Sequence, residues 1–143
     1  MSPEQPKLES ANGKVSLLAL VRRKEGTTRE EFSKWWYEVH VPMVAAFNEK
    51  NGLINYSQFH FDSALTTAFF GTDLGPDNLK FLDFDGVMIL ELESVEKWHQ
   101  AIQDPYYAEV IVPDESQHVE KKTSFIGAGK IYKLWENGAS VKQ

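Results

Sequence analysis

Phe32-Ser33-Lys34-Trp35-Trp36-Tyr37-Glu38-Val39-His40-Val41-Pro42 places two tryptophans, a tyrosine and a histidine on one short helical stretch. Phe32, Trp35/Trp36, Val39 and Met43 recur at helical spacing, so this helix needs a broad apolar surface to lie on. Thr27 with Glu30, or Thr28 with Glu31, offers a capping box at its start. Pro42 is expected to end or kink it, with a second short helix running to Glu49.

Strand signals flank the helix. Val15 to Arg22 is a near-continuous apolar run broken at Gly26, and Leu53 to Asp62 alternates behind Asn51-Gly52. Leu82 to Glu93 reads as a third strand, Ser94 caps a helix through Gln103, and Tyr106 to Glu120 reads as helical turns split at Pro113. Phe125 to Trp135 is the fourth strand. Ser63 to Lys80 has no clear period and reads as an irregular insertion or lid carrying Phe69-Phe70. The order β-α-β-β-α-β is the ferredoxin-like plan, an α+β fold with a four-stranded antiparallel sheet and helices on one face. Residues 14–136 form the single domain, with 1–13 and 137–143 as tails and no internal repeat.

Leu17 to Val21 and Val87 to Leu90 are apolar on both faces. Two helices cover only one face of such a sheet, so the other calls for a partner, most simply a second copy in a face-to-face homodimer. Loops of a monomer folding over that face are the alternative.

Bulk composition narrows the function. The 143-residue chain is aromatic-rich, with nine Phe, five Tyr and four Trp, and has no cysteine, which removes thiolate chemistry and disulfides. The net charge of −6 and scattered basic residues argue against nucleic acid. No membrane span or leader is evident, which together with the missing cysteines fits a cytoplasmic protein. His40, His60, His99 and His118 lack metal-ligand spacing, and no phosphate loop, nucleophile elbow or dinucleotide fingerprint occurs, so neither metal nor cofactor is expected.

Glu31-Phe32, the Trp35-Trp36 pair, His40-Val41-Pro42, Phe84-Asp85-Gly86-Val87 and Pro113-Asp114-Glu115 together resemble the EthD-like branch of the dimeric α/β barrel proteins, over roughly residues 15 to 134. The resemblance implies a cleft between sheet and helices in each subunit. Relatives in polyketide pathways include cyclases, decarboxylases, dehydratases and cofactor-free oxygenases.

Site residues follow from residue type and placement. On an α-helix His40 lies about 40° from Trp36, and its imidazole can act as acid or base near neutrality. A role as a C-terminal helix cap is the structural alternative. Tyr56 and His60 share one face of the second strand with Gln58, a set that can line a polar pocket or face solvent. Asp85 is a candidate to orient an imidazole, or else to bond the turn near Gly86. Trp36, Phe84, Phe69 and Phe70 are candidate pocket walls, and His118 is a candidate at the cleft with solvent as its alternative. The reading is a cofactor-independent lyase or cyclase that decarboxylates or dehydratively cyclises an aromatic polyketide-type intermediate, with His40, His60 and Asp85 as catalytic residues. A cofactor-free monooxygenase on a phenol or anthrone and a non-catalytic ligand-binding protein are the alternatives.

Overall fold

The computed structural model describes residues 14–72 and 80–141. The expected N-terminal tail and the Gly75-Pro76 part of the insertion lie outside them. Strands β1 (Val15–Val21), β2 (Leu53–His60), β3 (Gly86–Leu92) and β4 (Phe125–Gly129) form one antiparallel sheet in the order β2-β3-β1-β4. This is the ferredoxin-like arrangement. Pairing sets Leu17 opposite Leu90, Ala19 opposite Met88, and Gln58 opposite Met88, so these side chains share one face. No helix of the described residues is long and apolar enough to cross a membrane.

The helical layer packs on that face. Helix α1 (Arg29–Lys34) begins at Thr28, whose hydroxyl accepts the Glu31 N–H at 3.1 Å, which settles the two capping options in favour of Thr28. Proline does not end the helix. Residues Trp35–His40 form a π-helical turn and the chain continues as α2 (Val41–Lys50). A second π-helical turn, Tyr107–Ile111, leads into α5 (Val112–His118). Both turns close on a Val-x-Val-Pro pattern, Val39-His40-Val41-Pro42 and Val110-Ile111-Val112-Pro113. Proline brings no N–H and its ring collides with the carbonyl four residues back, here Glu38 and Glu109. Both carbonyls lie in the widened turns, so the helix absorbs the proline by lengthening its hydrogen-bond step.

Two apolar clusters result. One gathers Phe32, Trp35, Trp36 and Val119, with Val21 and Met88 against it; the other gathers Val44, Phe47, Ala101 and Ile111, with Tyr106 and Tyr107. The first cluster is seated on Gly86. A Cβ there would overlap the Trp36 ring and stand 2.9 Å from the Phe59 carbonyl oxygen.

Several segments differ from the sequence reading. Residues Ser63–Phe70, expected to be irregular, form helix α3, because Asp62 accepts the Ala64 and Leu65 N–H groups and Gly71 closes the end at φ 71°. Its residues are mostly exposed, so no core-facing stripe betrays it. Strand β3 starts at Gly86 rather than Leu82, and helix α4 (Val95–Ala101) ends before Gln103. Strand β4 stops at Gly129 rather than Trp135, and Trp135–Glu136 instead pairs with Ala139–Ser140 of the expected tail, in a hairpin turned by Asn137 (φ 52°) and Gly138 (φ 77°).

Gly86→Ala is expected to destabilise the protein by about 1–3 kcal/mol, since the added methyl meets the rigid Trp36 ring and the Phe59 backbone carbonyl rather than a flexible side-chain tip. Urea unfolding of the two proteins reads this directly.

Candidate active site

Between the sheet and the helical layer lies a cavity of about 330 Å³, bordered by members of both apolar clusters. This is the small end of the range of ligand sites, sized for a small aromatic molecule. Its floor is Leu17, Ala19, Met88 and Leu90; Trp35, Trp36, Phe47 and Ile111 stand over it. The titratable groups reaching it are His40, Tyr56, Tyr107, Glu115 and Lys121.

The π-helical turn decides where His40 goes. Instead of sharing a face with Trp36, its ring packs against Trp35, five residues back, at 5.3 Å between centroids. His40 is buried inside a continuing helix, so it is not a terminal cap. Its Nδ1 is buried and meets no partner among the described residues. An unpartnered buried ring nitrogen is uncommon and marks a place where a ligand atom or water completes the bonding. Burial pushes the His40 pKa below its ordinary 6.5, with Asp114 pulling it up and His118 down, so the imidazole is neutral at physiological pH.

A second polar group comes from β2. Gln58 donates through Nε2 to the Trp36 backbone carbonyl at 3.1 Å and to the Tyr56 hydroxyl oxygen at 2.9 Å. A carbonyl only accepts, which fixes the orientation of the Gln58 amide. Its Oε1 then faces His60 Nε2 at 2.8 Å, so that nitrogen carries the proton, while Nδ1 pairs with the Ser33 hydroxyl at 2.9 Å. Because Tyr56 accepts from Gln58, its own hydrogen is free to point into the cavity. Burial raises the Tyr56 pKa to about 12, with Gln58 opposing and the negative charge of Glu115 adding, so the hydroxyl remains a donor.

The remaining sequence candidates fall into two groups. Trp36 and Tyr56 border the cavity with His40, and His60 sits one hydrogen-bonded residue behind Tyr56. Asp85, Phe84, Phe69, Phe70 and His118 do not border it. Asp85 is buried, but its carboxylate accepts from the Arg23 N–H at 2.8 Å, the Arg23 guanidinium, and Arg29 Nε at 3.1 Å. Its partners are arginines, not an imidazole, so the expected orienting role is not met. Burial raises the Asp85 pKa, but the bonds from Arg23 and Arg29 outweigh it and the net shift is downward. Phe84 packs edge-on to Phe125 beneath the Arg22 guanidinium. Phe69 and Phe70 are exposed on α3. His118 stacks flat on Trp35 at 4.1 Å and bonds the Asp114 carbonyl.

Residues that the sequence reading left out of the site take up these places. Asp114 is the carboxylate felt by His40; it accepts from Trp35 Nε1 at 3.2 Å. Glu115, Tyr107 and Lys121 border the cavity itself. The Pro113-Asp114-Glu115 segment was visible, but which acid turns inward depends on the π-helical turn before it. Among the described residues no three His, Asp or Glu side chains gather to hold a metal.

Fold and cavity define an α+β ferredoxin-like protein with an aromatic-lined cleft between sheet and helices. The chain belongs to the EthD family: the EthD domain model matches residues 24–122. It is 27% identical over 141 residues to the decarboxylase nsrE of Aspergillus novofumigatus, covering 97% of this chain and 93% of that one. It is 23% identical to the conidial pigment biosynthesis dehydratase EthD of Metarhizium robertsii, covering 99% and 94%. Among solved structures, an EthD family protein of Bacillus halodurans superposes with a TM-score of 0.56 at 15% identity, covering 82% of this chain and 98% of that one. SnoaB, a cofactor-independent oxygenase from Streptomyces nogalater, superposes at 0.53 and 13% identity, covering 83% and 93%.

Two outcomes follow. Asp85→Ala leaves two guanidinium groups without their carboxylate and is expected to cost about 3 kcal/mol in urea unfolding, while binding of a naphthol in the cavity, followed by fluorescence, is unchanged. His40, with its folded pKa below 6.5, favours the native state fully only above that value. The stability of wild type relative to His40→Gln is therefore expected to fall as pH drops from 6.5 through the folded-state value and to level off below it, as measured by urea unfolding across pH.

Proposed function

We propose that this protein is a cofactor-independent lyase that decarboxylates or dehydratively cyclises an aromatic, polyketide-type intermediate. The observation that carries this reading is a buried imidazole nitrogen without a partner in the same apolar cavity as a Tyr56 hydroxyl that accepts from Gln58 and so keeps its own hydrogen free. A methylene between two carbonyls, or a phenolic ring bearing a carboxylate, needs little more. A base takes one proton, a donor holds the developing enolate oxygen, and apolar walls keep water out.

In this scheme His40 takes the proton and Tyr56 donates to the enolate oxygen. Gln58 holds the Tyr56 hydroxyl as a donor, and His60 holds Gln58, so His60 acts through two hydrogen bonds rather than on the substrate. Trp36 provides a flat wall against an aromatic ring. The relatives named decarboxylase and dehydratase support this class of reaction. The same proposal includes a homodimer. The sheet face away from the helices presents Leu18 and Phe59 in the open, and a second copy of that face would cover them.

Incubation with a panel of hydroxyaryl carboxylic acids and β-hydroxy ketones tests the reading by mass spectrometry. The expected result is loss of carbon dioxide or water without oxygen uptake, with His40→Ala lowering kcat by about 10²–10⁴-fold while ligand affinity persists. Oxygen consumption in a metal-free assay would point to an oxygenase instead. Retained affinity with no turnover of any compound would reduce the protein to a binding module.

A further inference from the structure

One carboxyl in the cavity takes no part in the chemistry above. Glu115 lies one turn into α5, half-buried, and borders the cavity together with His40. Among the described residues, the titratable groups that act on it come from other elements or stand beside it in the chain. Lys121 acts from the following turn, Tyr56 from β2, Tyr107 from the second π-helical turn, and Asp114 from the preceding position. Nothing in this ring donates a hydrogen bond to its carboxyl, and Lys121 acts at a distance without forming an ion pair. An ionised carboxylate without donors is costly at such a place, whereas the carboxylic acid is not.

We infer that Glu115 is the general acid of this cavity, the proton donor that complements His40. The inference rests on the lyase reading and extends it from one catalytic group to an acid–base pair. In dehydration of a β-hydroxy ketone, His40 removes the α-proton and the C–H electrons form the enolate. The Glu115 proton goes to the β-hydroxyl, the C–O bond breaks and water leaves. In decarboxylation of an ortho-hydroxyaryl acid, the Glu115 proton goes to the ring carbon that bears the carboxylate, the C–C electrons return to the ring, and carbon dioxide leaves. Either way Glu115 ends as a carboxylate and regains its proton from solvent; in dehydration His40 gives one up to solvent.

The environments of the two groups fit these roles. Burial raises the Glu115 pKa, with Lys121 opposing and Asp114 adding, while burial lowers that of His40. Opposite displacement of an acid and a base in one pocket is how a site holds both in their working forms.

The test is the pH dependence of kcat and kcat/KM for wild type, Glu115→Gln, Glu115→Asp and His40→Ala. The substrates are a β-hydroxytetralone, which loses water to give a naphthol, and an ortho-hydroxynaphthoic acid, which loses carbon dioxide to give one. Wild type should give a bell-shaped profile. Glu115→Gln should lower kcat about 10²-fold and remove the alkaline limb, leaving only loss at the Tyr56 value of about 12. Glu115→Asp, which keeps the acid one methylene shorter, should retain the limb at an intermediate rate. A wild-type kcat and alkaline limb in both Glu115 variants, with His40→Ala still inactive, would overturn the role of Glu115 and leave the lyase reading standing. Wild type that turns over neither compound would overturn the lyase reading itself.

Discussion

A proline set inside a helix leaves one carbonyl without its donor and pushes against the carbonyl four residues back, and this protein meets that constraint twice. Pro42 and Pro113 each follow a π-helical turn, and each turn brings aromatic or apolar side chains to the same cavity. The extra residue per turn rotates everything after it. His40 therefore lies over Trp35, and the helix that follows carries Val44 and Phe47 into the second cluster. In α5 the same device precedes Asp114 and Glu115, one of which meets Trp35 while the other reaches the cavity. Members of both clusters border the cavity between the sheet and the helical layer.

Two groups of charged and titratable residues have different jobs. At one end Asp85 is surrounded by Arg23 and Arg29, with Arg29 also reaching the Ser63 hydroxyl and the Phe84 carbonyl. This cluster ties α1 to the start of β3 and to α3. In the cavity the pattern is reversed: burial shifts His40, Tyr56, Tyr107 and Glu115 toward their neutral forms. Paired charges fasten a structure, whereas unpaired groups kept neutral by burial are available to a ligand.

The strand order, the aromatic helix and the shared face of Tyr56, Gln58 and His60 were legible because hydrophobic periodicity and the period of two are local properties. His40 was legible as a residue but not as a position. Helical spacing predicts that it joins Trp36, and only the π-helical turn moves it to Trp35. Asp85 was misread because a buried acid announces that it needs a partner, not which one; Arg23 and Arg29 lie about sixty residues earlier in the chain. Helix α3 was missed because its eight residues bury no stripe, so only its Asp62 cap and Gly71 stop could have found it. Glu115 was hidden for the converse reason, since a charged residue beside another acid reads as surface until the fold turns it inward.

The central claim is that the cavity receives an aromatic ligand with its reacting atoms between His40 and Tyr56. A crystal structure of the protein soaked with a hydroxynaphthoic acid tests this most directly. The account predicts the ring beside Trp36 with polar ligand atoms at roughly 2.6–3.2 Å from a ring nitrogen of His40 and from the Tyr56 hydroxyl. A ligand bound on the open sheet face, or an empty cavity with His40 turned toward solvent, would contradict it.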